Sequence, residues 1–423
     1  MRRPVQVLIA LQLAFLAVAG TWTALEFPVW ALTDELAHFD YVRVVADDAR
    51  LPVLGENQVT AEEVALGGDG AATGLRAQSY EAFQPPAYYV LLAPAVAVGG
   101  QELATVRALR LLGVLMLGVA AWLTWLLARR VFADDEDELA APAALALALC
   151  VLVLPAVVVR NATVSNTALA LPMALAVTVL TWDALRRADP RRLIVAGVVL
   201  GLALLVRTEL VVLAPLLLGA AFVLWRRGEV GAGPALVAVA APAVLLLPWI
   251  ALNLHRYGAL TASDLAREMQ DPVLNPDGTR YGVGDLPDLG RRVAGGMLPE
   301  EWWVRYLSSA WRALRDVLAA IVVLVPLGLV LWRPPARLGR AAAFLVAPLV
   351  LTLAGLVFVL FAAQFDLLQP RYLHPVLPAY ALFVALALRQ VLAPRWIAGI
   401  AAAATVGIGV VWLLVGGGPT YTG

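Results

Sequence analysis

What most constrains this chain is the recurrence of apolar runs long enough to cross a lipid bilayer. A helix rises about 1.5 Å per residue, so about 20 apolar residues cover a hydrocarbon core about 30 Å thick. The first such run is Val5 to Leu25. Ten more are read near 105–128, 140–159, 164–183, 192–207, 209–225, 233–252, 314–332, 341–362, 375–389 and 396–415. In lipid the backbone finds no water to bond, so these segments must be helices. With 423 residues, 61% hydrophobic and 15% charged, the chain has more apolar surface than a soluble fold of this size can hide. The expectation is an all-α polytopic membrane protein, one bundle of about 11 transmembrane helices over residues 1–423.

Arginines give the sidedness. They cluster at Arg2/Arg3, Arg129/Arg130, Arg186/Arg187/Arg191/Arg192, Arg226/Arg227, Arg333/Arg337/Arg340 and Arg389/Arg395, in alternate connections. The positive-inside rule puts these connections and the N-terminus in the cytoplasm. The loops 26–104, 253–313 and 363–374, with the tail 416–423, then share the outer face. Ala17-Val18-Ala19 imitates a leader-peptide cleavage site. A retained first span is expected instead, because the run is long enough to cross. A formal net charge of zero gives no electrostatic basis for binding nucleic acid. The single Cys150 lies inside an apolar run, which excludes an intramolecular disulfide or a cysteine-based metal site.

Ionisable residues are scarce, so their placement matters. Phe27 to Pro52 follows the first span and puts Asp34, Glu35, His38 and Asp40 within seven positions. Thr33 can cap a helix that Asp34 and Glu35 then open. Asp34, His38 and Tyr41 share a face of that helix, and Leu36, Phe39, Val42 and Val45 can rest it on a membrane or on other helices. Asp34 is either a solvated first-turn acid or a working carboxylate. His38, one turn on, can hydrogen-bond it or bind a metal with it, though one Asp/His pair is far from a ligand set. Later in the same loop, Gln84-Pro85-Pro86 leads through Tyr88 and Tyr89 into Val90 to Val98. That apolar piece is too short to cross before Gly99-Gly100 and reads as a re-entrant or interfacial helix.

The Asp34-Glu35 pair after the first span, Leu51-Pro52, Gln84-Pro85-Pro86-Ala87-Tyr88-Tyr89, Val106-Arg107 opening a span, Leu204 to Thr208, Pro248-Trp249 and Gln369 to Pro375 form an ordered series. In order and sidedness it resembles the GT-C fold membrane glycosyltransferases. The nearest relatives are protein O-mannosyltransferase-like and lipid A aminoarabinose transferase-like enzymes, here with an actinobacterial-type sequence. The resemblance is spread over about positions 1–390. It implies a cell-envelope transferase that moves a hexose or pentose from a polyprenyl-phosphate donor to a lipid, glycan or protein acceptor on the extracytoplasmic face of the plasma membrane. It also implies that Asp34 is the catalytic base or acceptor-orienting carboxylate. This chain departs from the family pattern at Gln84, where a basic residue often precedes the Pro pair. It departs again at Arg207, which matches a Lys, and at Asn166, which matches an acidic residue.

Inverting sugar transfer needs a base for the acceptor hydroxyl, opposite a leaving phosphate. Asp34 fills that role, with Glu35 orienting the acceptor or holding the helix and His38 adjusting Asp34. Phosphate recognition favours Arg, whose fork binds two oxygens. Arg371, flanked by Tyr372 and His374, is the leading donor contact, against a snorkelling boundary Arg. Arg207 either lines the donor cavity or pairs with Glu209. Arg107 and Arg110, where the second span begins, and Arg160, capping the third, are boundary anchors or phosphate contacts. Gln84, Tyr88 and Tyr89 line the donor cavity or pack at the interface. No tightly bound metal is expected, with Mg or Mn at most assisting the donor phosphate. The rival functions are a transporter or lipid flippase, a non-catalytic protein of the same fold, and a polysaccharide ligase. Nearly uncharged spans, with polar groups gathered on one face, favour surface chemistry over passage.

Overall fold

In the computed structural model every regular element among the described residues is helical. The described residues are 2–31, 34–68, 78–262, 265–266, 268–269, 284, 321, 324–329, 339–363 and 370–416. The long apolar runs become long helices because every backbone polar group is then bonded within its own segment. They are α1 (Arg2–Glu26), α5 (Leu103–Val131), α8 (Thr167–Arg187), α11 (Ala232–Tyr257), α12 (Gly339–Ala363) and α14 (Pro394–Gly416). Between α1 and α5 lie α2 (Glu35–Asp48), α3 (Ala61–Ala65) and α4 (Ala87–Gly99). The remaining α-helices named here are α6 (Ala140–Leu152), α7 (Pro155–Asn161), α9 (Pro190–Val206), α10 (Ala214–Arg226) and α13 (Leu377–Leu388).

Seven of the described segments are long and apolar enough to cross a membrane, against the eleven read from sequence. The differences have local causes. The run 140–159 is not straight. Pro155 cannot continue the helix ladder, and α6 and α7 meet at a bend of 67°. As one broken span this pair makes eight. The run 192–207 becomes α9, whose 17 residues open on an Asp189 cap with Pro190 behind it. The run 375–389 becomes α13, only 12 residues long, about 18 Å. The run 314–332 lies almost wholly outside the described residues. The short piece after the Pro pair is the 13-residue α4, also below spanning length.

The chain packs into two compact units. One comprises Met1–Ala19, Gly118–Val159 and Tyr281–Gly423. In it, α6 packs on α13 and α14, and α12 packs on α13. Gln12 reaches across to the Ala146 carbonyl at 2.8 Å and the Thr405 hydroxyl at 2.9 Å, tying α1 to α6 and α14. Trp412 donates to the Val153 carbonyl at 3.0 Å, at the break before Pro155. Arg389 grips Asp135 through two 3.0 Å bonds, and Arg2 pairs with Glu138.

The other unit comprises Gly20–Leu117 and Arg160–Arg280. Here α9 packs on α8 and α11. Gly197 and Gly201 let the backbone of α11 come close, at Ala238 and Pro242, where a methyl group has no room. The helix α2 packs on α4 and is buried on every side from Glu35 to Val44. A helix with that much buried polar surface must satisfy it internally. Arg43 does so on one side, donating to Asp40 at 2.6 Å, to Glu63 of α3 at 2.9 Å and to the Gln58 carbonyl at 2.7 Å. Burial, with Asp40 beside it, pushes the Glu63 carboxyl up to about 7.

Candidate functional site

The site is built on the turn between α1 and α2. The chain leaves α1 at Glu26 and reverses through Trp30, a non-glycine residue at φ 61°. The Trp30 side chain is buried against Phe39 and donates its indole N–H to the Glu63 carbonyl at 2.8 Å. Asp34 then takes the cap position of α2, and Glu35 is its first helical residue. Thr33, the expected cap, lies outside the described residues.

Glu35 is fully engaged. Its Oε1 accepts from Arg110 Nε at 2.7 Å and from the Val164 amide at 3.0 Å. Its Oε2 accepts from Arg110 Nη2 at 2.6 Å and from the Trp30 amide at 3.3 Å. Arg110 spends its remaining donors on the carbonyls of Phe27, at 2.6 Å, and Pro28, at 3.2 Å. Both side chains are shut off from solvent. A buried pair of this kind is tolerable only with such complete bonding. Glu35 therefore clamps the α1–α2 turn to α5 and to the 162–165 segment. Every lone-pair direction of its carboxylate is used in that clamp.

Asp34, its neighbour, is held by other groups. Its Oδ1 accepts from the Tyr80 hydroxyl at 2.9 Å, and its Oδ2 faces Arg160 Nη1 at 3.4 Å. Arg160 stands near the end of α7, just beyond the bend at Pro155. Arg160 was expected as a boundary anchor or phosphate contact and not as a partner of Asp34, and Tyr80 was not expected at the site at all. Asp34 itself is 6% exposed.

His38 does not bond the Asp34 carboxylate as expected. Only its backbone N–H reaches back to the Asp34 carbonyl, at 3.0 Å. Its ring meets Tyr89 Oη at 2.8 Å through Nδ1 and Ser165 Oγ at 3.5 Å through Nε2. The ring is drawn away by an aromatic stack: Tyr89 lies parallel to Tyr41 at 3.6 Å and beside His38 at 5.8 Å. Burial, then the Arg207 and Arg160 charges, bring the His38 pKa down to about 3, so the imidazole is neutral near pH 7.

Two other expected residues, Gln84 and Tyr88, join this cluster at the α4 start, and Arg207 joins it through Thr167. Tyr88 accepts from the Ser165 amide at 3.1 Å, and burial pushes its phenol up. The Gln84 side chain accepts from Asn166 at 3.2 Å, and its carbonyl accepts from Tyr41 at 3.1 Å. Asn166 also donates to the Val206 carbonyl at 3.3 Å. Arg207 donates to Thr167 Oγ1 at 2.6 Å and to Glu209 at 3.2 Å, and Thr167 in turn accepts from Ser165 at 3.2 Å. A polar chain thus runs from Arg207 through Thr167 and Ser165 to His38. Arg107 stands apart from it and clamps the Leu25 carbonyl at the end of α1, at 3.0 Å.

Arg371, Tyr372 and His374 belong to the other unit. Arg371 and Tyr372 form the turn Pro370–Tyr372 ahead of α13, with the guanidinium 5.5 Å from the Tyr372 ring centroid. His374 follows and is buried. Among the described residues no three His, Cys, Asp or Glu side chains gather as a metal-ligand set. Positive charge stands close by, Arg160 facing Asp34 and Arg207 acting on His38, together with the carboxyls of Glu35 and Glu81.

The model of the dolichyl-phosphate-mannose-protein mannosyltransferase family matches residues 84–251, from Gln84 into α11. No curated protein matches this chain in sequence. Among solved structures it is similar to ArnT from Cupriavidus metallidurans bound to undecaprenyl phosphate. That match has a TM-score of 0.53 and 16% identity, over 96% of this chain and 63% of that one. Apo ArnT from the same organism gives a TM-score of 0.52 at 16% identity, over 96% and 62% of the two chains. The arabinosyltransferase EmbB from Mycobacterium smegmatis gives 0.51 at 16% identity, over 91% of this chain and 31% of that one. The chain therefore spans less than two thirds of the length of each of these enzymes.

Proposed function

From the GT-C fold that this chain has in common with those membrane enzymes, we propose that it transfers a sugar from a polyprenyl-phosphate carrier to a hydroxyl-bearing acceptor, with inversion and with Asp34 as base. The observation that carries this reading is the contrast between two adjacent carboxylates. Glu35 is locked by four donors, whereas Asp34 is aimed by Tyr80 and a longer contact to Arg160. A base must be held in direction, beside charge that the reaction can use. Tyr80 aims Asp34 and Arg160 faces it, whereas the Arg110 at Glu35 is fixed on the Phe27 and Pro28 carbonyls as well.

In this mechanism the acceptor hydroxyl approaches Asp34 Oδ2 and displaces the contact with Arg160. Asp34 takes the hydroxyl proton as the acceptor oxygen bonds the anomeric carbon. The bond from that carbon to the carrier phosphate breaks on the opposite face, which inverts the centre. Arg160, released from Asp34, and Arg207, at the near end of the polar chain, supply positive charge to the departing phosphate. Neutral His38 holds Tyr89 and Ser165 in place and takes no proton.

In this reading α2 and its partners work on the outer side of the plasma membrane with the N-terminus cytoplasmic, which the arginine distribution supports. The likeness to ArnT bound to undecaprenyl phosphate supports a polyprenyl carrier of that chemistry. The experiment is a transfer assay in membranes from cells with and without this protein, using labelled polyprenyl-phosphate-linked hexoses and pentoses. The reading expects one labelled sugar to enter lipid, glycan or protein only when the protein is present. Equal incorporation from both membranes across the panel contradicts it.

A further inference from the structure

Glu81 lies in the turn Tyr80–Phe83 and is 5% exposed. Its neighbour Tyr80 gives its hydroxyl to Asp34, so the turn is fixed against the proposed base. Glu81 is not consumed by the fold as Glu35 is. Its Oε2 is buried and meets no hydrogen-bond partner among the described residues. The polar and charged groups acting on its carboxyl are Gln84, which hydrogen-bonds it, then Arg207, Glu209 and Arg160, with the Tyr89 phenol beside it. Burial pushes the carboxyl up to about 7, against the pull of Gln84 and Arg207.

A buried carboxyl oxygen with no partner is uncommon in a packed protein and asks for an atom to complete it. The neighbours restrict what that atom is. Arg207 and Arg160 repel a metal cation. A phosphate gains nothing from an ionised carboxylate beside it. A hydroxyl both donates and accepts, so it pairs with the carboxyl whether or not that group holds its proton.

We propose that Glu81 binds a hydroxyl group of the substrate beside Asp34, carried either by the transferred sugar or by the acceptor. This rests on the glycosyl-transfer reading above. The full-length wild type, Glu81→Ala and Glu81→Gln are compared in nanodiscs for binding and in native membranes for transfer. The probes are polyprenyl phosphate alone and polyprenyl-phosphate-linked hexose and pentose. If the hydroxyl is on the sugar, Glu81→Ala binds the sugar-bearing probe about ten-fold more weakly, the loss of one hydrogen bond, and binds the sugar-free lipid normally. If it is on the acceptor, all probes bind normally and transfer falls about ten-fold. Glu81→Gln, neutral and able to donate and accept, keeps most of the activity. It also loses the part of the wild-type pH dependence that lies near pH 7. Normal binding and transfer in Glu81→Ala overturn the proposal. Weakened binding of the sugar-free lipid does so too, because it marks a structural role. A wild type that binds no sugar-bearing probe and transfers nothing overturns the glycosyl-transfer reading, and this inference with it.

Discussion

The Glu35 carboxylate accepts from two nitrogens of Arg110 and from the amides of Trp30 and Val164, in full burial. Removing one side of a buried pair strands the other charge, at about 3–5 kcal/mol. Glu35→Gln should therefore lower the thermal unfolding midpoint in detergent sharply, and an unchanged midpoint would show that the clamp is dispensable. His38 makes a second prediction. Its pKa is depressed in the folded protein, so its stabilising effect is complete above about pH 6.5 and is lost as pH falls toward about 3. The loss runs at up to about 1.4 kcal/mol per pH unit. Between about pH 7 and pH 5 the wild type should lose more stability than His38→Gln, by up to about 2 kcal/mol. Glu63 and Glu81, whose carboxyls are raised, act in the opposite sense in both proteins and cancel in the comparison. Parallel pH profiles would contradict the burial of a neutral imidazole. Asp34, Glu35 and His38 stood out in sequence because charges are scarce around them. Their different circumstances did not, because the deciding partners, Arg110, Arg160 and Val164, lie 75 to 129 positions away.

At the scale of elements, α5 passes α7 so closely at Gly113 that a methyl group there meets the Asn161 carbonyl. Asn161 follows Arg160, so the small residue governs how near Arg160 stands to Asp34. Gly113→Ala should cost about 1–3 kcal/mol by overpacking. A shift of about 1 Å in such a support can cost up to about 100-fold in rate, so transfer should fall more than donor binding does. Gly118→Ala, on the same helix with nothing within 4 Å, is the control and should leave both unchanged. Equal behaviour of the two variants would contradict the link between this contact and the site. The short α4 was legible from its length between the Pro pair and Gly99-Gly100. The break between α6 and α7 was not, because hydropathy runs unbroken through Pro155 while the backbone cannot. Nor was the burial of α2 on all sides: its apolar positions suggested a helix resting on a surface, and its polar positions are satisfied only by distant segments.

At the scale of the molecule, apolar length and arginine placement made the all-helical membrane fold legible, because lipid leaves the backbone few alternatives. Span number was less legible, since the runs 192–207 and 375–389, read as spans, fold as the 17-residue α9 and the 12-residue α13 and are not among the seven. Sidedness is open to direct test. On a Cys150→Ala background, Glu56→Cys should react with an impermeant thiol reagent in intact cells and Glu136→Cys should not; both side chains are exposed. The reverse pattern would invert the topology. The account as a whole rests on Asp34 working as the base while the surrounding clamps hold it. Asp34→Asn keeps the size of the side chain and its capacity to accept from Tyr80, but it cannot take a proton. The measurement is the initial rate of sugar transfer from the polyprenyl-phosphate donor, in Asp34→Asn against wild type at equal expression. The account predicts a fall of at least about 100-fold, with the unfolding midpoint nearly unchanged; near-normal transfer by Asp34→Asn would contradict it.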